Sequence, residues 1–130
     1  MTKIALLDSS VLVGAFRKED PHFLEAKKML NTYDVFVIPE YILVETLTVL
    51  KMREGKERAK MCNEFLQNNQ QCVFRSTTNT ELQQTLEKFF QTKTLSFIDH
   101  LIALISLHEN IPLLTFDLEL RKYCAEKKKK

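Results

Sequence analysis

Four acidic side chains stand where chemistry could gather. Asp8 closes the run KIALLD, Glu45 lies within YILVETLTVL, Asp99 within SFIDHLIALIS, and Asp117 follows IPLLTF. Each has an ordinary structural use or surrounding. Asp8 and Asp117 can cap the helices that begin after them. Ser96-x-x-Asp99 has the spacing of a capping box, in which the third helical residue bonds back to the cap. Glu45 can simply face water at a helix boundary. Its neighbours three and four residues away are Tyr41, Ile42, Thr48 and Val49; none is cationic, so no ion pair along the helix is open to it. These uses account for the acids singly and leave their company unexplained. Carboxylates brought together raise one another's pKa. A divalent cation removes that cost, and Mg²⁺ and Mn²⁺ prefer oxygen ligands. Such ions activate water and stabilise charge on a phosphodiester, which makes hydrolysis of a nucleic-acid backbone the natural chemistry for this set.

Other chemistries find few residues to carry them. Cys62, Cys72 and Cys124 are odd in number and lack CxxC spacing, which reads as free thiols in a reducing compartment. His22, His100 and His108 do not have the i, i+4 spacing of a zinc helix. No Ser–His–Asp set, glycine-rich phosphate loop or dinucleotide fingerprint is present. A receiver-like phosphotransfer domain needs a middle-strand aspartate and a later lysine at a strand end, and no convincing pair occurs.

The elements that must position the acids follow from apolar patterning. Residues 3–7, 34–38, 72–75 and 111–115 read as strands. Between them lie helical stretches: one through Val11, Leu12 and Phe16, one opened by Asp20 and Pro21, and one opened by Pro39 that carries Leu43, Leu47 and Leu50. Gly55 interrupts the last of these, and a further helix runs to about Leu66. Thr78 or Asn79 caps a helix with Leu82, Leu86, Phe89 and Phe90 on its apolar face. Ser96 starts another, and Asp117 precedes a short final one. Strands alternating with helices imply a mainly parallel sheet covered on its faces. In such sheets functional groups lie beyond the carboxyl ends of the strands, where Asp8 and Asp117 fall.

Composition sets the bounds. The 130 residues are 45% hydrophobic and 28% charged with a formal net charge of +2, which fits one packed domain. The charge is too small for a strong grip on nucleic acid through the field of the whole molecule. Lys51, Arg53, Lys56, Arg58 and Lys60 form a local basic cluster, of which Lys51, Arg53 and Lys56 are candidates for RNA phosphates. Residues 127–130 are all lysine and read as a solvated tail after a domain of residues 1–126. No apolar run suits a membrane span and the first ten residues do not suit a signal peptide, so a cytoplasmic location is expected.

At the four acids the chain resembles the PIN domain family. ALLDSSVLVGAF is similar to the family's opening motif, PEYILVETLTVL to its glutamate helix, SFIDHLIALIS to its third acidic motif and IPLLTFDLELRK to its fourth. The motifs occur in order and span nearly the whole chain. The resemblance implies a three-layer α/β/α fold with a parallel sheet of four to five strands and a Mg²⁺- or Mn²⁺-dependent ribonuclease site. Asp8, Glu45, Asp99 and Asp117 take the catalytic and metal-holding roles. Ser10 and Thr115 support them, and Ser9 keeps a hydroxyl where the family often has threonine. Short free-standing members are most often VapC-like toxins, which implies an RNA substrate, a homodimer and a small antitoxin partner. A PIN nuclease of RNA processing or DNA cleavage and a non-catalytic PIN-like interaction module are the alternatives.

Overall fold

The computed structural model describes residues 1–129. Four strands form one sheet: β1 (Ile4–Leu7), β2 (Val35–Pro39), β3 (Cys72–Arg75) and β4 (Leu113–Leu114). Their order is β3-β2-β1-β4 and every neighbouring pair is parallel. Seven helices connect them: α1 (Ser9–Phe16), α2 (Phe23–Thr32), α3 (Glu40–Glu54), α4 (Lys56–Gln67), α5 (Asn79–Gln91), α6 (Phe97–Glu109) and α7 (Leu118–Lys128). Helices α1 to α4 pack among themselves, and α5 to α7 form a second group. This is the α/β architecture expected from the alternation of strands and helices.

The central strand β1 explains itself. Ala5, Leu6 and Leu7 are all fully buried, as a parallel strand covered on both faces requires. Leu6 pairs with Val37 on one side and with Leu113 on the other. Val11 and Leu12 of α1, Ile42 and Leu50 of α3, Leu66 of α4, and Ile102 and Ile105 of α6 close the core around it.

Several features differ from the pattern-based expectation. Asp20 and Pro21 form a turn, and α2 begins only at Phe23. The Asp20 side chain accepts from the His22 backbone N–H at 2.9 Å, and its carbonyl accepts from Phe23 N–H; the carboxylate shapes the turn instead of capping the helix. The fourth strand shrinks from 111–115 to two residues. Pro112 has no N–H to give and joins the sheet only as acceptor for Leu6 N–H, and Thr115 has left the ladder for the contacts described below. Phe90, expected on the apolar face of α5, is 78% exposed, while Phe89 packs edge-on against Phe97 and His100. At the basic end, Lys127 and Lys128 continue α7, with Lys127 Nζ 5.4 Å from the centre of the Tyr123 ring. Lys130 lies outside the described residues.

Candidate active site

Asp8 is the residue on which β1 ends and α1 begins. Its side chain makes no cap bond. Instead its Oδ2 accepts from Thr115 Oγ1 at 2.7 Å and from Ser10 Oγ at 2.9 Å. Each hydroxyl has one proton and spends it on the same oxygen. Both then accept from the backbone: Ser10 Oγ from Phe116 N–H at 3.1 Å, and Thr115 Oγ1 from Asp117 N–H at 3.0 Å. The two hydroxyls thus stitch the end of β1 to the segment after β4. Asp8 is only 5% exposed and Thr115 2%.

Asp117 caps α7 as the sequence suggested, with Oδ1 accepting from the N–H groups of Glu119 and Leu120. Asp99 completes the capping box of α6: Ser96 Oγ accepts from Asp99 N–H, and Asp99 Oδ2 accepts from Ser96 N–H. Leu95, just before that cap, has φ of 75°, a left-handed conformation that costs a non-glycine residue on the order of 1–2 kcal/mol. Burial holds the Asp99 carboxyl above its ordinary pKa, and the charges of Asp8 and Asp117 raise it further, while bonds from Ser96 pull the other way. Asp99 therefore feels the charges of two of the other acids. The fourth, Glu45, accepts a short hydrogen bond from Ser9 Oγ.

A common pattern runs through the four. Each carboxylate uses one oxygen to be held: Asp8 Oδ2, Glu45 Oε1, Asp99 Oδ2 and Asp117 Oδ1. The second oxygen of each has no hydrogen-bond partner among the described residues, and none is a sealed, unpaired atom. The donor set is all oxygen, with neither His nor Cys sulfur within it, which suits a hard cation such as Mg²⁺ or Mn²⁺ and does not suit zinc. As placed, no three His, Cys, Asp or Glu side chains among the described residues lie close enough to hold one ion. The residues fit the ion in the chemistry of their donors; Asp8 and Asp117 lie at strand ends, and the side chains as placed do not form a shell around one ion.

Lys51, Arg53 and Lys56 stand elsewhere. Helices α1 and α3 run side by side in the same direction, since Ser9 meets Glu45 near their starts and Arg17 meets Glu54 at their ends. Lys51 is about 9 Å beyond Glu45 along α3 and Arg53 about 12 Å; Lys56 begins α4 past Gly55. A different cation touches the segment after β4. Arg121 Nη2 donates to the Thr115 carbonyl at 2.6 Å. Sequence reading did not single out Arg121, four residues after Asp117 and one turn into α7. It also left Ser9 as a kept hydroxyl, without the partner that the fold supplies.

The model of the PIN domain family matches residues 5–126. No curated protein sequence matches the chain. Among solved structures, the chain is similar to Mycobacterium tuberculosis VapC20, described as a sarcin–ricin loop cleaving toxin, with a TM-score of 0.83 and 18% identity over 93% of this chain and 95% of that one. It is also similar to VapBC2 from Rickettsia felis, solved with a DNA fragment from the promoter, with a TM-score of 0.67 and 16% identity over 92% of each chain. At these identities the likeness is one of fold. With the family's model matched from β1 into α7 over an all-parallel sheet, the chain belongs to the PIN domain family.

Proposed function

We propose that this protein is a Mg²⁺- or Mn²⁺-dependent endoribonuclease that hydrolyses RNA phosphodiester bonds, and that it serves as the toxin of a type II toxin–antitoxin pair. The observation that carries the enzymatic reading is the arrangement of Asp8, Glu45, Asp99 and Asp117. Each is fixed through one oxygen and offers the other; Asp8 ends β1 and Asp117 follows β4 at the carboxyl edge of a parallel sheet, and Asp99 feels both of their charges. PIN domains are typically nucleases that use divalent metals. When bound, the ion supplies activation of water and charge stabilisation on the phosphate.

The chain's own residues do the positioning. Ser10 and Thr115 hold Asp8, Ser9 holds Glu45, and the helix starts hold Asp99 and Asp117. Asp8, Asp99, Asp117 and Glu45 would hold the ion. Asp99, already pushed up by burial and then by its acidic neighbours, gains from a cation among them. The toxin role and an antitoxin partner draw support from the structural likeness to VapC20 and VapBC2; a homodimer belongs to the same reading. One observation favours a rival, a non-catalytic interaction module: the acids stand too far apart, as placed, to share an ion three at a time.

The deciding experiment is cleavage of total cellular RNA with Mg²⁺ or Mn²⁺ by wild type and by Asp8→Asn, purified identically. Discrete, metal-dependent fragments from wild type with none from Asp8→Asn are expected, and mapping their ends names the target. Equal cleavage by both proteins rejects Asp8 as a site residue. Silence from both across cellular RNA favours the interaction module.

A further inference from the structure

His22 and Phe116 lie face to face, with ring centres 4.2 Å apart and planes 10° from parallel. Phe116 stands between Thr115 and Asp117. Its N–H donates to Ser10 Oγ at 3.1 Å, and Ser10 Oγ donates to Asp8 Oδ2 at 2.9 Å. The backbone that carries this ring is therefore two hydrogen bonds from Asp8 and one residue from Asp117. The Phe116 ring is half-buried and packs against the core. Its far edge reaches α1, where Cε2 is 3.6 Å from the point a Cβ on Gly14 would occupy. His22 is exposed, yet its backbone is tied on both sides. Its N–H donates to Asp20 Oδ1 at 2.9 Å, and its carbonyl accepts from Ala26 N–H at 2.8 Å. A flat ring has two faces, and Phe116 covers one of them on His22.

We infer that His22, backed by Phe116, is a stacking platform for one unpaired base of the RNA, on the rim of the acid site. This rests on the ribonuclease reading above and adds a substrate class to it: single-stranded or looped RNA. Splayed-out bases stack on aromatic and imidazole rings, and such stacking accepts any base because each has a π face. A base inside a duplex is covered by its neighbours and is not free to take this place. The platform is formed before RNA arrives, since Phe116 holds the ring from below and the start of α2 holds the backbone, so little ordering cost is left for binding. His22 is a positioning residue: it seats a base near the phosphodiester and leaves the chemistry to the acids.

The test uses a uridine hexanucleotide with 2-aminopurine at its third position, a base whose fluorescence falls when it stacks on a ring. The full chain is titrated into it at low salt in EDTA, so that binding is read without cleavage. Wild type is compared with His22→Leu, which keeps Phe116 covered and offers no flat face, and with His22→Phe, which restores one. Phe90→Leu, altering an exposed ring on α5, is the control. Wild type, His22→Phe and Phe90→Leu are expected to quench the probe and bind it alike. His22→Leu is expected to lose the quenching and to bind about 5-fold more weakly or worse, at an unchanged melting temperature. Quenching and affinity for His22→Leu equal to wild type overturn the platform. So does a His22→Phe variant as weak as His22→Leu, because stacking is then not what the ring supplies. A wild type that cuts cellular RNA and does not quench the probe overturns the platform alone. A wild type that neither binds the probe nor cuts cellular RNA with Mg²⁺ or Mn²⁺ overturns the ribonuclease reading and the platform with it.

Discussion

Thr115 gives its only hydroxyl proton to Asp8 and takes the N–H of Asp117 in return. One side chain so fixes two of the four acids. Valine has nearly the same shape and none of these bonds. Thr115→Val is expected to lower unfolding free energy by about 1–3 kcal/mol, because it leaves polar partners unpaired at a buried position. Urea denaturation measures that cost. The same variant loosens Asp8, so RNA cleavage is expected to fall while the fold persists. A variant as stable as wild type removes Thr115 from this role. Ser10 shows why such roles are hard to assign from sequence. It lies two residues from Asp8, and its bond to that carboxylate follows from local geometry. Its acceptance of Phe116 N–H joins positions 106 residues apart, which spacing along the chain does not reveal.

At the scale of elements, the turn between α3 and α4 is set by one residue. Gly55 has φ of 96° and ψ of 167°, a region that is essentially glycine's alone. A Cβ there meets nothing within 4 Å, so the cost of a side chain is one of backbone and not of space. Gly55→Ala is expected to destabilise by about 1–3 kcal/mol, read by urea denaturation, and to leave the acids where they are. No loss of stability contradicts the strain argument. The same glycine was legible in the sequence as a helix interruption, because a break in apolar periodicity needs no tertiary information. The start of α2 was not. Asp20-Pro21 is a sound opening for a helix, yet the Asp20 carboxylate accepts from His22 N–H within a turn that precedes α2, which begins at Phe23, and also lies against Arg17 at 3.4 Å. Side-chain competition of this kind is invisible to a pattern of residue types.

For the molecule as a whole, Arg75 ties the end of β3 to two helices, through Glu81 of α5 and Glu109 of α6. The bond from Arg75 brings the Glu81 carboxyl down to about 2 from an ordinary 4.5, against the opposing effect of burial and with help from the Thr78 N–H. A lowered pKa in the folded state means stability that is full above pH 4.5 and is lost as pH falls toward 2. Glu81→Gln keeps the capping bond to Thr78 N–H and removes the charge. It is expected to lose on the order of 2 kcal/mol at neutral pH and to show a shallower decline between pH 4.5 and 2, measured by denaturation across that range. Parallel declines in the two proteins contradict the assignment. The sequence by itself determined the alternation of strands and helices, a cap at Thr78 or Asn79 and another at Ser96, and the acids at 8, 45, 99 and 117 as candidates, because periodicity, capping and motif order are local properties read along one dimension. Tertiary structure alone decided that β1 lies between β2 and β4, that Ser9 holds Glu45, that Arg121 reaches Thr115, and that His22 stacks on Phe116. Those are matters of which distant segments are packed together, and packing is settled only when the whole chain closes on its core.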